Sequence, residues 1–281
     1  MADQKTKKQE AEMSFLDHLE VLRWHLIRST LAVVIIGIVA FIFIDFLFEV
    51  VILGPSYPEF VSYDILCKIS GLVGMEKGCI GEGDLDFIIQ SRKVGAQFNT
   101  AIWTSITTGV VVGFPYILYE FWKFISPGLY ENERKSSKGF IIIASLLFFM
   151  GAFFGYYIIA PLSINFLSGF KVADTIQNEF DIDSYVGLMR ASILAAGIIF
   201  ELPIIIYFLT KIGLVTPQFL RKNRKYALVI VLILSAIITP PDVSTQVIVA
   251  VPILILYEIS IVISRIVIKR EEKRLKKQQA V

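Results

Sequence analysis

An acidic residue inside an apolar segment is the first candidate for chemistry. Glu201 lies within AAGIIFELPIII and is closely followed by Pro203. An ionisable side chain in a membrane span is costly to bury and usually has a function. Two roles stay open: a protonated side chain held by hydrogen bonds within a helix bundle, or a polar group that contacts another transmembrane helix or relays protons. Glu258, in LYEISIVISR, is a weaker candidate that we expect to pair with Arg265.

A second group of charges ends the segment FPYILYEFWKFISPGLYENER, which covers residues 114–134. Its Pro127-Gly128 pair predicts a turn, and Glu133 comes after it among other charged residues. A charge run in a loop is usually only a solvated surface. A carboxylate fixed on a turn can also receive guanidinium groups in bidentate pairs. Both interpretations of Glu133 stay open on the residues alone.

The sequence predicts neither an enzyme nor a metal or cofactor site. Its only histidines, His18 and His25, have no supporting acid at metal-ligand spacing, so we expect both at the surface. The strings HExxH, GxGxxG, GxSxG and the P-loop are absent. An intramembrane protease would need a nucleophile and a base that the sequence does not offer.

Long apolar runs must position these residues. The chain is 55% hydrophobic, above the roughly 45–50% of soluble domains. Six runs approach the length of about 20 residues that crosses a bilayer, and they lack the alternation of barrel strands. We therefore predict an all-α polytopic membrane protein with six transmembrane helices, the last two of them short. The predicted spans are Trp24–Ile44, Asn99–Tyr119, Gly139–Ile159, Leu188–Leu209, Tyr226–Ile238 and Val247–Ser264.

Positive charge sets the predicted orientation. Most of the 27 Lys and Arg residues fall in segments on the same side as the two chain ends, and cytoplasmic segments retain positive charge. We therefore expect an inner-membrane protein with both termini in the cytoplasm. Residues 1–13 are expected to be a disordered tail, residues 14–265 the membrane domain, and residues 266–281 a basic tail. The first outer loop, residues 45–98, is long enough to need structure or function of its own.

Two cysteines, Cys67 and Cys79, both lie in this outer loop. In an oxidising periplasm, such a pair suits a disulfide that closes a long loop. Two unpaired thiols are the alternative. A metal site is disfavoured because no histidine stands near the two sulfurs.

Five blocks of sequence together resemble the TatC family, the multispanning core of the twin-arginine translocase. They are HLEVLR at 18–23, the segment 114–134 quoted above, FELP at 200–203, TPPDVSTQ at 239–246 and YEISIVISR at 257–265. The resemblance implies a concave bundle that is not an enzyme and that binds twin-arginine signal peptides of folded precursors. It also implies partners: single-span TatA- or TatB-type proteins, further copies in a larger complex and the lipid bilayer, but no nucleic acid. The proton gradient would supply the energy.

The resemblance also implies roles for single residues. Glu133 and Glu20 would receive the twin arginines, and two adjacent arginines need more than one acceptor carboxylate. Glu201 would offer a polar contact to a partner helix in lipid. The other matched residues are Leu19 and Arg23 on the N-terminal helix, Phe124 and Pro127 in the loop, Gln246 as a partner contact, and Pro55 and Asp242 on the outer side.

The chain departs from the family at one acidic position. The family commonly has Glu two residues before the arginine of its N-terminal motif, where this chain has Val21, and Glu20 precedes it. One residue is about 100° of helix rotation, so we expect Glu20 to contribute less than Glu133. The outer segment around the two cysteines is also longer than the resemblance implies, and we expect it to cap the periplasmic side.

A secondary transporter that uses Glu201 as its coupling carboxylate is the alternative function. Such a protein commonly has a midplane site formed by broken helices in paired halves. The sequence has no visible internal repeat, and a second strong intramembrane charge is missing.

Overall fold

The computed structural model describes residues 15–72, 87–125, 137–173 and 175–279. These residues are mostly helical, and the predicted helical fold class is confirmed. In chain order the elements are α1 (Phe15–Ile42), α2 (Ile44–Phe46), a π-helical turn (Leu47–Ile52), a 3-10 turn (Gly54–Ser56), α3 (Val61–Leu72), β1 (Phe87–Gln90), α4 (Ala96–Ile125), α5 (Ser137–Phe154), a second π-helical turn (Gly155–Ile159), α6 (Ala160–Gly169), β2 (Asn178–Asp181), α7 (Ile182–Phe200), α8 (Leu202–Lys211), α9 (Pro217–Lys222), α10 (Arg224–Ile238) and α11 (Val243–Gln279).

Five helical segments among the described residues are long and apolar enough to cross a membrane. The predicted fifth span corresponds to α10, which has 15 residues and extends about 22 Å at 1.5 Å per residue. This helix is shorter than a hydrocarbon core of about 30 Å, as the sequence predicts. The number of crossings stays a prediction. The five long segments are Leu19–Ile42, Ala96–Ile125, Gly139–Gly169, Ile182–Lys211 and Thr245–Lys273.

Small residues let neighbouring helices approach closely. A Cβ atom added at Gly109 of α4 would lie 2.5 Å from the Val33 carbonyl oxygen of α1. One added at Gly151 of α5 would lie 2.5 Å from the Ala196 carbonyl oxygen of α7. Helix association in lipid depends on such close backbone contact because there is no hydrophobic driving force between the helices. These glycines therefore fix how α1 packs on α4 and how α5 packs on α7.

The start of α1, the end of α4 and the ends of α8 and α11 share one end of the bundle. Ring contacts join Trp122 of α4 to Phe208 of α8, with centroids 5.7 Å apart. The Thr210 hydroxyl of α8 donates to the Ser264 hydroxyl of α11 at 2.9 Å. We call this the basic end, because it carries Arg23, Lys123, Lys211, Arg265 and the charged end of α11.

Two short strands lie at the opposite end of the bundle. β1 and β2 pair in parallel, with Phe87 opposite Asn178 and Gln90 opposite Asp181. The Arg92 guanidinium lies 2.9 Å from a Glu179 carboxylate oxygen next to this pair. The sequence predicts no strands here, because four residues are too few to display an alternating pattern. The pairing connects the two long outer segments of the chain.

Tyrosine side chains hold the first outer segment together and attach it to α7. The Tyr63 hydroxyl donates to the carbonyl oxygen of buried Pro55 at 2.7 Å, and the Tyr185 hydroxyl donates to that of Ile52 at 2.9 Å. Burial raises the pKa of the Tyr63 phenol. Residues 47–56 thus form helical turns that pack on α6 and α7, and α3 is tied to these turns by Tyr63, as expected for a loop long enough to need its own structure.

The last helix is longer than the predicted span. α11 has 37 residues and continues to Gln279, although the sequence predicts a span that ends at Ser264 and then a basic tail. The added residues are mainly Lys, Glu, Arg and Gln, which favour helices, and Gly and Pro are missing among them. The basic tail is therefore largely a continuation of the transmembrane helix.

Candidate functional site

The matched residues of α1 are exposed at the basic end. The side chain of Leu19 is 43% exposed, and Glu20 and Arg23 are exposed as well. Leu19 and Arg23 are one helical turn apart and share a face. Val21, at the family's glutamate position, is only half-exposed. Glu20 thus occupies a more solvent-accessible side of the helix than position 21.

The end of α4 contacts α1 through His25, which follows Arg23 by two residues and so lies about 200° away from it around the helix. The ring of Phe124 contacts the ring of His25 edge-on, with centroids 6.2 Å apart. Pro127 and Glu133 follow in the chain but lie outside the described residues. The joint action of Glu20 and Glu133 on one ligand therefore stays a prediction.

A buried carboxylate joins α1 to α4 on the side of α1 that carries His25. His25 Nδ1 donates to a Glu120 carboxylate oxygen at 2.6 Å, and the Glu120 side chain is only 2% exposed. Lys123 Nζ lies 4.0 Å from the other Glu120 oxygen. A buried charge normally needs such partners. The pair fixes the start of α1 against the end of α4.

The prediction that His25 is a surface residue is wrong, because its side chain is only 15% exposed. The sequence predicts no role for Glu120, because the predicted second span ends at Tyr119 and the next residue then belongs to a solvated loop. The helix continues to Ile125. The apolar pattern of YEFWKFI is the sequence signal for this extension, and Glu120 and Trp122 are buried in its last two turns.

Glu201 lies at a break in the fourth long helical segment. It is the residue between α7 and α8, and it is 8% exposed. Pro203, within the first turn of α8, explains the break because it has no N–H to donate. Within the part of the chain that the structure describes, the Oε1 atom of Glu201 has no hydrogen-bond partner. A buried oxygen without a partner is unfavourable, so this carboxyl can still accept or donate a hydrogen bond to another molecule.

Gln246 and Asp242 organise the hairpin between α10 and α11. An Asp242 carboxylate oxygen accepts a hydrogen bond from the backbone N–H of Thr245 at 2.8 Å and so caps α11. The Gln246 side-chain amide donates to the carbonyl oxygen of Leu232 in α10 at 2.9 Å. One donor of Gln246 is therefore used within the hairpin, and its role as a partner contact stays a prediction.

The expected pairing of Glu258 with Arg265 is wrong. Arg224 Nη2 lies 2.6 Å from a Glu258 carboxylate oxygen. Residues seven positions apart on one helix are about 10.5 Å apart along its axis, whereas α10 runs antiparallel to α11 and brings Arg224 directly opposite Glu258. The ion pair closes the basic end of the short hairpin.

The remaining matched residues lie at the end opposite the basic end. Pro55 is buried in the 3-10 turn. Cys67 is in α3 and is disulfide-bonded in the structure, but Cys79 lies outside the described residues, so their pairing stays a prediction. Among the described residues, His, Cys, Asp and Glu form no group of three or more that could hold a metal ion.

The chain is similar to known proteins along most of its length. A family model described as Sec-independent protein translocase protein (TatC) matches residues 17–252. The Sec-independent protein translocase protein TatC of Blattabacterium sp. subsp. Periplaneta americana (strain BPLAN) is 40% identical over 265 residues, which cover 94% of this chain and 100% of that protein. The TatC protein of Aquifex aeolicus (strain VF5) is 35% identical over 264 residues, covering 93% and 98%.

The fold is also similar to a solved structure. A crystal structure of the twin arginine translocase receptor TatC superposes with a TM-score of 0.66 at 34% identity. The match covers 89% of this chain and 99% of that one. A second crystal structure of the receptor, in DDM, gives a TM-score of 0.68 at the same identity.

Proposed function

The chain belongs to the TatC family of Sec-independent protein translocase proteins, and on that premise we propose that it is the core and signal-peptide receptor of a twin-arginine translocase. It is a multi-pass membrane protein and a translocase component, not an enzyme. In the proposed orientation the basic end faces the cytoplasm of the inner membrane and both termini lie there, since cytoplasmic segments retain Lys and Arg.

The proposed receptor surface is the exposed Leu19–Arg23 face of α1 together with the loop after α4. The observation that carries it is the His25–Glu120 hydrogen bond of 2.6 Å, which fixes α1 against the end of α4, the helix from which the loop departs. Glu133 and Glu20 supply the two carboxylates that adjacent guanidinium groups require. Phe124 and Pro127 shape the approach to them.

Cross-linking of a twin-arginine precursor tests this surface. Replacing Glu133 by Gln should reduce the yield about tenfold, because losing one charge-assisted contact of about 1.4 kcal/mol weakens binding tenfold. Glu20→Gln should reduce it less. Glu59→Gln is the matched control, since Glu59 is an exposed acid in the first outer segment. Equal yields for Glu133→Gln and Glu59→Gln would contradict the role of Glu133.

A second surface, around Glu201 and Gln246, is proposed to bind single-span TatA- or TatB-type partners. The support is the buried Glu201 oxygen that lacks a partner among the described residues. Polar groups are scarce in lipid, and hydrogen bonds between helices use them. Association of further copies into a larger complex, and transport driven by the proton gradient, belong to the same proposal.

The family membership favours this function over a secondary transporter. Glu201 serves partner recruitment in the proposal, whereas a transporter would use it as a coupling carboxylate. If Glu201 recruits partners, loss of its carboxyl weakens the association with the partner helix. If Glu201 is a coupling carboxylate, that association is unchanged. The Glu201→Leu variant therefore distinguishes the two functions.

A further inference from the structure

A cavity of about 360 Å³ lies at the basic end, between α9 and the charged end of α11. Arg221 of α9 and Arg265, Lys269 and Glu272 of α11 line it. The three α11 residues lie four and three positions apart, so they share one face of the helix. The cavity thus has three cationic side chains and one acidic side chain.

The cations of this cavity have no ion-pair partner in the ranges that the structure describes. Arg221, Arg265 and Lys269 are all exposed. With only Glu272 to oppose three cations, the cavity keeps an excess of positive charge, which attracts an anion. Arginine guanidinium groups bind phosphate in bidentate geometry, and lysine binds it as a point charge. This composition favours a phosphate-bearing ligand.

Exposed apolar side chains on the two helices that line the cavity indicate that the ligand has an apolar part. Val262 and Ile266 of α11 are 50% and 46% exposed, and Phe219 of α9 is 57% exposed. Val262 precedes Arg265 by three residues and so lies on the same helix face. The cavity is therefore bordered by the lipid-facing surface of a transmembrane helix.

The size of the cavity fits a headgroup. Ligand sites of about 300–1,000 Å³ hold small molecules, and this cavity is at the low end of that range. Basic pockets at the cytoplasmic ends of transmembrane helices bind lipid headgroups, and clusters of Lys and Arg just beyond a span attract anionic lipids. The end of α11 carries such a cluster in Lys269, Arg270, Lys273, Arg274, Lys276 and Lys277.

We propose that this cavity binds the phosphate headgroup of an anionic phospholipid. Arg221, Arg265 and Lys269 contact the phosphate, and the acyl chains lie along Val262 and Ile266. The bound lipid bridges α9 to α11 and so holds the end of the long helix against the bundle. This site goes beyond the proposed receptor function and does not depend on signal-peptide binding.

Lipid retention by the purified full-length protein tests the site. The probe is phosphatidylglycerol, with phosphatidylcholine as the neutral lipid, and retained lipid is counted by native mass spectrometry. The triple variant Arg221→Gln, Arg265→Gln, Lys269→Gln should bind phosphatidylglycerol at least about tenfold more weakly. The matched control, Lys222→Gln, Lys225→Gln, Arg270→Gln, removes the same charge at the same end from residues that do not line the cavity, and should retain the lipid.

Three outcomes would overturn the proposal. The first is unchanged phosphatidylglycerol retention in the triple variant. The second is an equal loss in the control, which would indicate only general attraction to the basic end. The third is displacement of the lipid by an equal concentration of glycerol phosphate, which would indicate a site for a soluble anion. If the triple variant fails to fold, the single variant Lys269→Gln provides the same comparison with Arg270→Gln.

Discussion

The hydrogen bond between His25 and Glu120 is the most informative single contact of the proposed receptor. It joins two helices at a carboxylate that is almost fully buried, and removing one partner of such a pair leaves an unsatisfied buried group. The predicted positions of Leu19, Glu20 and Phe124 at the receptor surface all depend on how α1 sits against α4. A contact that fixes this interface is therefore expected to affect function without touching the ligand.

Replacing His25 by Ala should lower the free energy of unfolding by about 1–3 kcal/mol, the cost of removing the partner of one buried Glu120 oxygen. The same variant should bind the twin-arginine precursor more weakly, because α1 can then shift against α4. His25→Gln should recover part of both losses, since its amide can donate to the carboxylate. Trp24→Phe, at an exposed neighbouring position, is the control. Unfolding curves and cross-linking yields of His25→Ala that match those of Trp24→Phe would refute this role.

Replacing Glu201, unlike replacing His25, should affect binding of a partner without lowering stability. Replacing it by Leu removes a buried oxygen that lacks a partner among the described residues, so the free energy of unfolding should be unchanged or higher. Cross-linking to a single-span partner should be lost, because the polar contact in lipid is gone. Both quantities can be measured on the same membranes. A variant that loses stability while keeping its partner would indicate a purely structural carboxyl.

Sequence patterns indicate which residues are candidates for the site better than they indicate what those residues contact. Glu201 was recognised because an acid among apolar residues is unusual. Glu120 was not, since it falls one residue beyond a predicted span limit. The predicted partner of Glu258 is wrong because an ion pair between helices depends on which helices are neighbours. Local spacing along the chain does not contain that information.

At the scale of helices, close contact between α1 and α4 depends on Gly109. An alanine Cβ there would meet the Val33 backbone oxygen at 2.5 Å, and backbone cannot move as easily as a flexible side chain. Gly109→Ala should therefore destabilise the protein by about 1–3 kcal/mol, the usual cost of overpacking, and should reduce precursor binding at the α1 face. Thermal unfolding in detergent and precursor cross-linking measure the two effects.

Gly139→Ala is the matched control for that substitution. Gly139 also lies in a long helix, and no described atom lies within 4 Å of a Cβ added there. Both changes bring the same gain in helix propensity, so a difference between the variants reports the contact alone. Equal stability of the two proteins would show that α1 and α4 do not depend on this close approach.

Among the elements, the long helices could be predicted from the sequence and the outer strands could not. Apolar runs of membrane length leave few choices to the backbone, because every polar backbone group in lipid must be paired internally. The pairing of β1 with β2 joins residues far apart in the chain, such as Phe87 and Asn178, and four-residue strands carry no periodic signal. The sequence does not predict the extension of α11 to Gln279, because a charged segment after an apolar run has the composition of a solvated tail.

For the whole molecule, composition predicted a membrane protein and charge predicted its orientation, while the family blocks suggested its function. The helical bundle and the membership in the TatC family are established. The orientation, the two carboxylates of the receptor surface and the contacts with partner helices remain proposals, since they depend on the bilayer, on the loop that carries Glu133 and on other chains. None of these can be deduced from one chain by periodicity or packing.

Export of a folded reporter tests the central claim most directly. The reporter carries a twin-arginine signal peptide, the gene for this chain is deleted from its parent cell, and no second copy of the gene is present. The receptor function predicts that periplasmic reporter disappears, returns when the gene is restored, and stays absent when both arginines of the signal peptide are changed to lysine. Continued export after the deletion, or equal export of the twin-lysine reporter, would contradict it.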